Sequence, residues 1–123
     1  MTPTFLDDGE RLAILGTPGG SRIITMVLLG ALEFARGGDP ETWVTSGRYH
    51  HQFFPDRITH EPDAFTATEI EGLRALGHEL QRIERRYGNM QAIEWNRRSG
   101  EVKAASDPRG VGAAEVRRME RER

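Results

Sequence analysis

A short apolar run that meets two adjacent glycines constrains the fold of this chain more than any other feature. Residues 12–15 favour a strand, Pro18-Gly19-Gly20 interrupts it, and apolar residues resume at Ile23 with helical spacing. This pattern predicts a strand that turns sharply into a helix. The first amides of a helix lack intrahelical partners and carry the positive end of its dipole, so a corner of this kind can hold a carboxylate or a developing oxyanion. Pro-Gly-Gly is also an ordinary turn sequence, and the corner alone identifies no reaction.

Apolar spacing predicts the elements on either side of this corner. Phe5-Leu6 and residues 12–15 form two strands joined by residues 7–11, a glycine-containing connection typical of a hairpin. Residues 23–35 form a helix that stops at Gly37-Gly38. Because this helix is apolar nearly all round, we expect it to be buried.

Capping residues predict two further helices. Asp39-Pro40 opens a short helix that runs to about Ser46. Thr66-Ala67-Thr68-Glu69 matches a capping box, with Phe65 and Ile70 placed for a hydrophobic staple and Gly77 as the C-cap. Residues 78–83 are a candidate strand, and residues 90–95 and 102–105 are expected to pair across the turn 96–100.

Composition excludes several classes of protein. A chain of 123 residues with 37% apolar and 29% charged residues fits one globular domain. A net charge of -2 argues against a general nucleic-acid binder, and the absence of cysteine excludes disulfides and thiolate metal sites. The apolar stretch 23–35 is too short and too polar to span a membrane, and it lacks the pattern of a signal peptide. No signal for a cellular location is found in this sequence.

Five separated motifs occur in one order along the chain. They are Met1-Thr2-Pro3-Thr4, Gly16-Thr17-Pro18-Gly19-Gly20-Ser21-Arg22-Ile23-Ile24, Arg48-Tyr49-His50-His51-Gln52, Gln91-Ala92-Ile93 and Ala105-Ser106-Asp107-Pro108-Arg109. In this order and spacing the chain resembles the C-terminal part of the small subunit of gamma-glutamyltransferase (glutathione hydrolase), an N-terminal-nucleophile hydrolase. The resemblance extends from Met1 to about Gly112.

The resemblance implies an α+β fold that is part of an αββα sandwich, in which antiparallel sheets pack between helical layers. Residues 1–112 would form a partial small-subunit domain, and residues 113–123 a charged C-terminal tail. Val116 and Met119, three residues apart among interleaved charges, predict a solvated or frayed helix in that tail.

The resemblance also implies a reaction. In the family, an N-terminal threonine attacks a gamma-glutamyl amide with its own amine as base, and the acyl-enzyme is released to water or to an amino acid. The family's glycine pair corresponds to Gly19 and Gly20, whose amides would bind the substrate and hold the tetrahedral oxyanion. No metal or other cofactor is implied.

Two parts of the family's site have no counterpart in this sequence. They are the nucleophilic threonine and the serine pair that binds the substrate's alpha-carboxylate. The chain alone is therefore expected to be inactive, and to need the remainder of the small subunit and a large subunit, or to self-associate. Removal of Met1 would expose Thr2, a chemically competent nucleophile, but the resemblance places Thr2 in a structural stretch.

A non-catalytic remnant or interaction module of the same fold is the alternative function. Family members are often periplasmic or secreted.

Other conspicuous residues have structural interpretations. His50 and His51 point to opposite faces of an extended strand and cannot chelate one metal together. Residues 107–110 are typical of a turn held by local hydrogen bonds. Trp43 and Trp95 are expected in core or interface packing.

Overall fold

Two hairpins combine into a four-stranded antiparallel sheet. The computed structural model describes residues 3–118. Strands β1 (Thr4–Asp7) and β2 (Arg11–Gly16) form the first hairpin. Strands β6 (Gln91–Asn96) and β7 (Val102–Ser106) form the second, and the sheet order is β1-β2-β6-β7. Both hairpins predicted from the sequence are confirmed.

Two helices cover one face of this sheet. A 3₁₀ turn, Gly20–Arg22, leads from the glycine corner into α1 (Ile23–Ala35). Helix α2 (Pro40–Thr45) begins at the N-cap Asp39, whose carboxylate accepts a hydrogen bond from the amide of Thr42 at 3.1 Å. The side chains between helices and sheet form a continuous core, made of Ala13, Leu15, Met26, Phe34, Trp43, Val44, Met90, Ala92 and Ala105.

A second, smaller sheet lies in the middle of the chain. It has the order β3 (Tyr49–His50), β4 (Ile58–His60) and β5 (Leu80–Arg82). Helix α3 (Ala67–Ala75) connects β4 to β5, and these two strands are parallel because such a crossover returns the chain in the same direction. The fold is α+β, as predicted. Its sheets are not wholly antiparallel, because β4 and β5 run the same way.

Helix α1 is less buried than its composition predicts. Met26, Gly30 and Phe34 face the sheet and are buried. On the opposite side, Ile24 is 79% exposed and Leu28 is 54% exposed. The expectation of burial all round is wrong because the helix contacts the sheet with one face, and no residue of the described range 3–118 covers the other.

The sheet likewise has one uncovered face. Side chains alternate along its strands, so Ala13 and Ala92 are buried beneath the helices while Ile93 and Trp95 remain 45% and 42% exposed. We call this the open sheet face; its apolar members are Phe5, Leu12, Ile14, Ile93, Trp95, Val102 and Ala104. Trp43 lies in the core, as expected, whereas Trp95 lies on this face.

The C-terminal segment runs beside the open sheet face. Ala113, Ala114 and Glu115 line a cavity of about 540 Å³ together with Ile14 and Ile93. Residues 113–118 form neither helix nor strand, so the predicted frayed helix is wrong for them, and Met119 lies outside the described residues. The boundary between residues 112 and 113 stays a prediction. Within residues 3–118, no helix has the length and apolar character needed to cross a membrane.

Candidate functional site

The glycine corner has the backbone geometry that its sequence predicts. Gly19 has φ 152° and Gly20 has φ 58°, both in the range that favours glycine. Their carbonyl groups start the helical hydrogen bonding, because Gly19 accepts from the amide of Arg22 at 3.2 Å and Gly20 accepts from the amide of Ile23. The amides of Gly19 and Gly20 donate to no acceptor within residues 3–118. They are therefore free to bind an anion.

The side chains beneath the corner hold it in place. The hydroxyl of Thr17, which is fully buried, donates to the carbonyl of Pro18 at 2.9 Å and accepts from the amide of Asn89 at 3.2 Å. A Cβ atom at Gly19 would meet the flexible end of the Met26 side chain, which can shift, so it is the backbone angle that favours glycine there. A Cβ atom at Gly20 would meet no atom within 4 Å. Gly20 thus faces open space.

Beside the corner, four charged side chains are buried together. We call Arg48, Glu61, Asp107 and Arg109 the buried ionic cluster. Arg48 pairs with Asp107, the Nε of Arg109 donates to Glu61 at 2.9 Å, and a second nitrogen of Arg109 lies 3.2 Å from Asp107. Two positive and two negative charges balance, as burial of charge requires.

This cluster also binds the backbone of distant segments. Glu61 accepts from the amides of Arg48 at 3.0 Å and Tyr87 at 3.2 Å, and Asp107 accepts from the amide of Met90 at 2.9 Å. Arg109 donates to the carbonyl of Val44 at 2.8 Å, near the end of α2. The cluster therefore fixes the segments that precede β3 and β6 and follow β4 and β7.

The ionisation of these groups reflects the opposing effects of burial and pairing. Burial disfavours the charged form of Asp107, but hydrogen bonds from Met90, Arg109 and Arg48 outweigh it and hold the pKa of that carboxyl below its usual value. Burial disfavours the charged form of Arg109 too, yet its contacts with Glu61 and Asp107 raise its pKa above the ordinary value. For Arg48, burial dominates and lowers the pKa of its guanidinium.

The sequence interpretation of residues 107–110 captured only the local part of this arrangement. The amide of Arg109 does donate to Asp107 at 2.9 Å within the turn. The turn is nevertheless held by long-range ion pairs, and Glu61, the central acceptor, belongs to none of the motifs that sequence reasoning singled out. Its pairing with Arg109 spans 48 positions, which no local pattern reports.

The two adjacent histidines are held by different partners. His50 is buried, with its Nδ1 2.7 Å from the hydroxyl of Thr25 and its Nε2 2.9 Å from the side-chain oxygen of Gln52. His51 is exposed and contacts Asp56 at 2.9 Å. Across residues 3–118, no three side chains of histidine, aspartate or glutamate are grouped to hold a metal ion.

The family model described as Gamma-glutamyltranspeptidase matches residues 1–117. The chain belongs to the gamma-glutamyltranspeptidase family. It is 35% identical over 113 residues to the glutathione hydrolase proenzyme of Escherichia coli K12, a match that covers 90% of this chain and 19% of that protein. It is 36% identical over 122 residues to the glutathione hydrolase proenzyme of Pseudomonas aeruginosa, covering 94% and 21%. The chain thus spans about a fifth of the length of these curated relatives.

Solved structures place the chain in the same family. A gamma-glutamyltranspeptidase mutant from Pseudomonas nitroreducens superposes with a TM-score of 0.80 at 34% identity, covering 97% of this chain and 62% of that one. A Helicobacter pylori gamma-glutamyltranspeptidase gives 0.80 at 27% identity, covering 89% and 61%. The Bacillus anthracis transpeptidase CapD, at 20% identity and a TM-score of 0.78 over 95% and 70% of the two chains, shares the fold. The family and its N-terminal-nucleophile hydrolase fold, both predicted from the motifs, are confirmed.

Proposed function

We propose that this chain supplies the oxyanion-binding corner of an enzyme that transfers or hydrolyses gamma-glutamyl groups of glutathione-type substrates. The observation that carries the proposal is the pair of amides at Gly19 and Gly20, which have no acceptor within the described residues and lie in the strand-to-helix motif. The relatives named glutathione hydrolase support the class of substrate.

The chemistry assigns a defined task to these amides. A threonine hydroxyl, supplied by a segment with no counterpart in this sequence, attacks the gamma-glutamyl amide carbon, and the carbonyl oxygen gains negative charge. The amides of Gly19 and Gly20 donate to that oxygen. Collapse of the intermediate breaks the carbon–nitrogen bond, and the threonine's own amine, which took the hydroxyl proton during the attack, passes that proton to the leaving nitrogen. The product is an acyl-threonine ester that water or an amino acid then cleaves. Loss of one such donor typically lowers the rate by about 10²–10³-fold.

The uncovered surfaces support a role within a larger assembly. The open sheet face exposes Phe5, Ile93 and Trp95, and β1 and β7 are edge strands of the four-stranded sheet. Exposed apolar faces and unpaired strand edges favour association. We infer that the remainder of a small subunit, together with a large subunit, covers this face; self-association is the alternative. A non-catalytic remnant is the less favoured function, because the relatives carry enzyme names.

The decisive experiment is a gamma-glutamyl anilide turnover assay on this chain, alone and co-expressed with the polypeptide encoded immediately upstream. We expect activity only in the co-expressed form. In that form, Gly20→Ala should lower kcat by about 10–100-fold, because the added methyl group projects into the open space at the corner and displaces the bound oxyanion.

Gly100→Ala is the matched control. Gly100 has φ 73°, and a Cβ there also meets nothing within 4 Å, but it lies in the β6–β7 turn. Wild-type turnover by a folded Gly20→Ala enzyme would refute the oxyanion assignment. Soluble, co-expressed and inactive wild-type protein would favour the non-catalytic remnant.

A further inference from the structure

A polar cavity of about 320 Å³ opens directly beside the glycine corner. Ser21 and Arg22 of the 3₁₀ turn form one wall, and Arg57 and Thr59 form another. No aspartate or glutamate lines it, although the chain as a whole has a net charge of -2. The cavity is therefore locally cationic.

The two arginines of this cavity differ from the arginines of the buried ionic cluster. Arg48 and Arg109 each face a carboxylate, whereas Arg22 and Arg57 form no ion pair within the described range. The guanidinium of Arg22 lies over the Tyr87 ring, 4.4 Å from the ring centre. This cation–π contact holds the guanidinium in position and leaves its N–H groups without a hydrogen-bond acceptor in the described part of the chain. The Nε of Arg57 is buried and has no hydrogen-bond partner within residues 3–118. A buried donor without an acceptor is costly unless a ligand supplies one.

A second cavity adjoins the first and repeats its charge. It has a volume of about 500 Å³, shares Arg22 and Ile83 with the first cavity, and is lined further by Arg85 and by Arg86, of which Arg86 pairs with Asp63 at 3.0 Å. No carboxylate residue lines this cavity either. Arg22 therefore stands between two concavities that both favour negative charge.

His50 also lines the first cavity but does not supply the missing acceptor. Both of its ring nitrogens are occupied, by Thr25 and by Gln52. The hydroxyl of Thr59 donates to the carbonyl of His50 at 3.3 Å. These groups form a fixed polar wall, which leaves the guanidinium groups of Arg22 and Arg57 to bind a ligand.

We propose that Arg22 and Arg57 bind the carboxylate of the peptide or amino acid that leaves from, or accepts, the gamma-glutamyl group. This inference rests on the proposed function. Ser21 and Arg22 follow Gly20 directly, so a substrate whose carbonyl oxygen sits at the glycine amides has the cavity next to it. The planar, forked donors of a guanidinium match the two oxygens of a carboxylate. The pocket selects acceptors that carry a free carboxylate over simple amines.

The test measures binding separately from turnover. Chemical-shift perturbation of the isotope-labelled chain, which has 123 residues, detects weak ligands. Glycylglycine serves as the carboxylate probe, and glycylglycinamide, whose C-terminus is uncharged, is its counterpart. We expect glycylglycine to bind the full chain in roughly the millimolar range and the amide to bind about tenfold more weakly. Arg57→Gln and Arg22→Gln should each weaken glycylglycine binding by about tenfold. Arg57→Lys, which keeps the charge but loses the fork, should have an intermediate effect.

Arg74→Gln is the matched control, because Arg74 is exposed on α3 and lines neither cavity. Far-ultraviolet circular dichroism checks that each variant is folded. Equal binding of glycylglycine to the wild type and to a folded Arg57→Gln would overturn the proposal, as would tighter binding of inorganic phosphate than of glycylglycine. If binding follows the prediction while the co-expressed protein turns over nothing, only the proposed function fails. If turnover is present and the arginine variants bind normally, only the pocket assignment fails.

Discussion

Asp107 is the carboxylate through which two buried arginines are neutralised. It pairs with Arg48 and Arg109 and accepts from the amide of Met90 at 2.9 Å. Because its pKa is lower in the folded than in the unfolded chain, the unfolded chain binds protons more readily. The stability contributed by Asp107 is therefore complete above its unfolded pKa and is lost as the pH falls through the folded pKa.

Asp107→Asn should destabilise the protein by about 3 kcal/mol or more at pH 7, because Arg48 is left buried without its counter-charge. Urea unfolding at pH 7 and near pH 3 measures this. The difference between wild type and variant should shrink at the lower pH, because protons then bind the Asp107 carboxyl of the unfolded wild-type chain and lower the wild-type stability. The exposed Asp56→Asn is the control. A difference that stays constant between the two pH values would contradict the assignment.

For individual residues, the sequence predicts the contacts made within a short segment of the chain. The glycine corner follows from a short motif, and its dihedral angles agree with that motif. The buried ionic cluster does not follow, because Glu61 meets Arg109 only after the small sheet and the second hairpin are in place. The cationic cavity was missed for the same reason: Arg22 and Arg57 are brought together by the return of β4 beside β3.

Among the elements, helix α3 depends most on its own capping. It has no buried residue, and its capping box is complete: Thr66 accepts from the amide of Glu69 at 3.3 Å, and Glu69 accepts from the amide of Thr66 at 2.7 Å. These hydrogen bonds lower the pKa of Glu69. The capping box was predicted from the sequence and is confirmed.

Thr66→Ala should destabilise the protein by about 1 kcal/mol, because the amide of Glu69 loses the Thr66 hydroxyl as its acceptor. Thr68→Ala is the matched control, since Thr68 is exposed in the same turn but does not cap it. Hydrogen exchange of the α3 amides gives the measurement. Equal exchange rates in the two variants would show that the capping box does not hold the helix.

Elements with long periodic patterns or clear capping residues were predicted, whereas the short strands β3 and β4 were not. Helix α1, at 13 residues, and the hairpins carry enough alternation to reveal their type. Strand β3 has two residues and β4 has three, too few for any period to show. Their pairing depends on tertiary contacts, such as the hydrogen bond from the amide of Glu61 to the carbonyl of Arg48 at 2.8 Å.

Within residues 3–118, large apolar surfaces remain uncovered. They are the open sheet face and the outer side of α1, where Ile24 and Leu28 are exposed. Hydrophobic periodicity identifies apolar residues but does not say which neighbour covers them. The sequence therefore predicts the type of fold, but it does not predict how much of α1 and of the four-stranded sheet is buried.

We expect the isolated chain to self-associate through the open sheet face, and Ile93→Lys to weaken that association by at least about tenfold because a charge must then be desolvated. Sedimentation velocity over a range of concentrations measures it. Leu76→Lys is the control, because Leu76 is 77% exposed at the end of α3, away from the open sheet face. A sharp monomer at every concentration of the wild type would refute the expectation.

Met26 gives the glycine corner a chemical vulnerability. Cβ atoms at Gly19 or Gly88 would collide with the Met26 side chain, and Met26 is 1% exposed. Oxidation to the sulfoxide would add a polar oxygen to a thioether that is buried against the glycine corner. An oxidant reaches that sulfur only when the corner opens, because the folded chain excludes it. The lifetime of the site in an oxidising environment is then set by how often the corner opens.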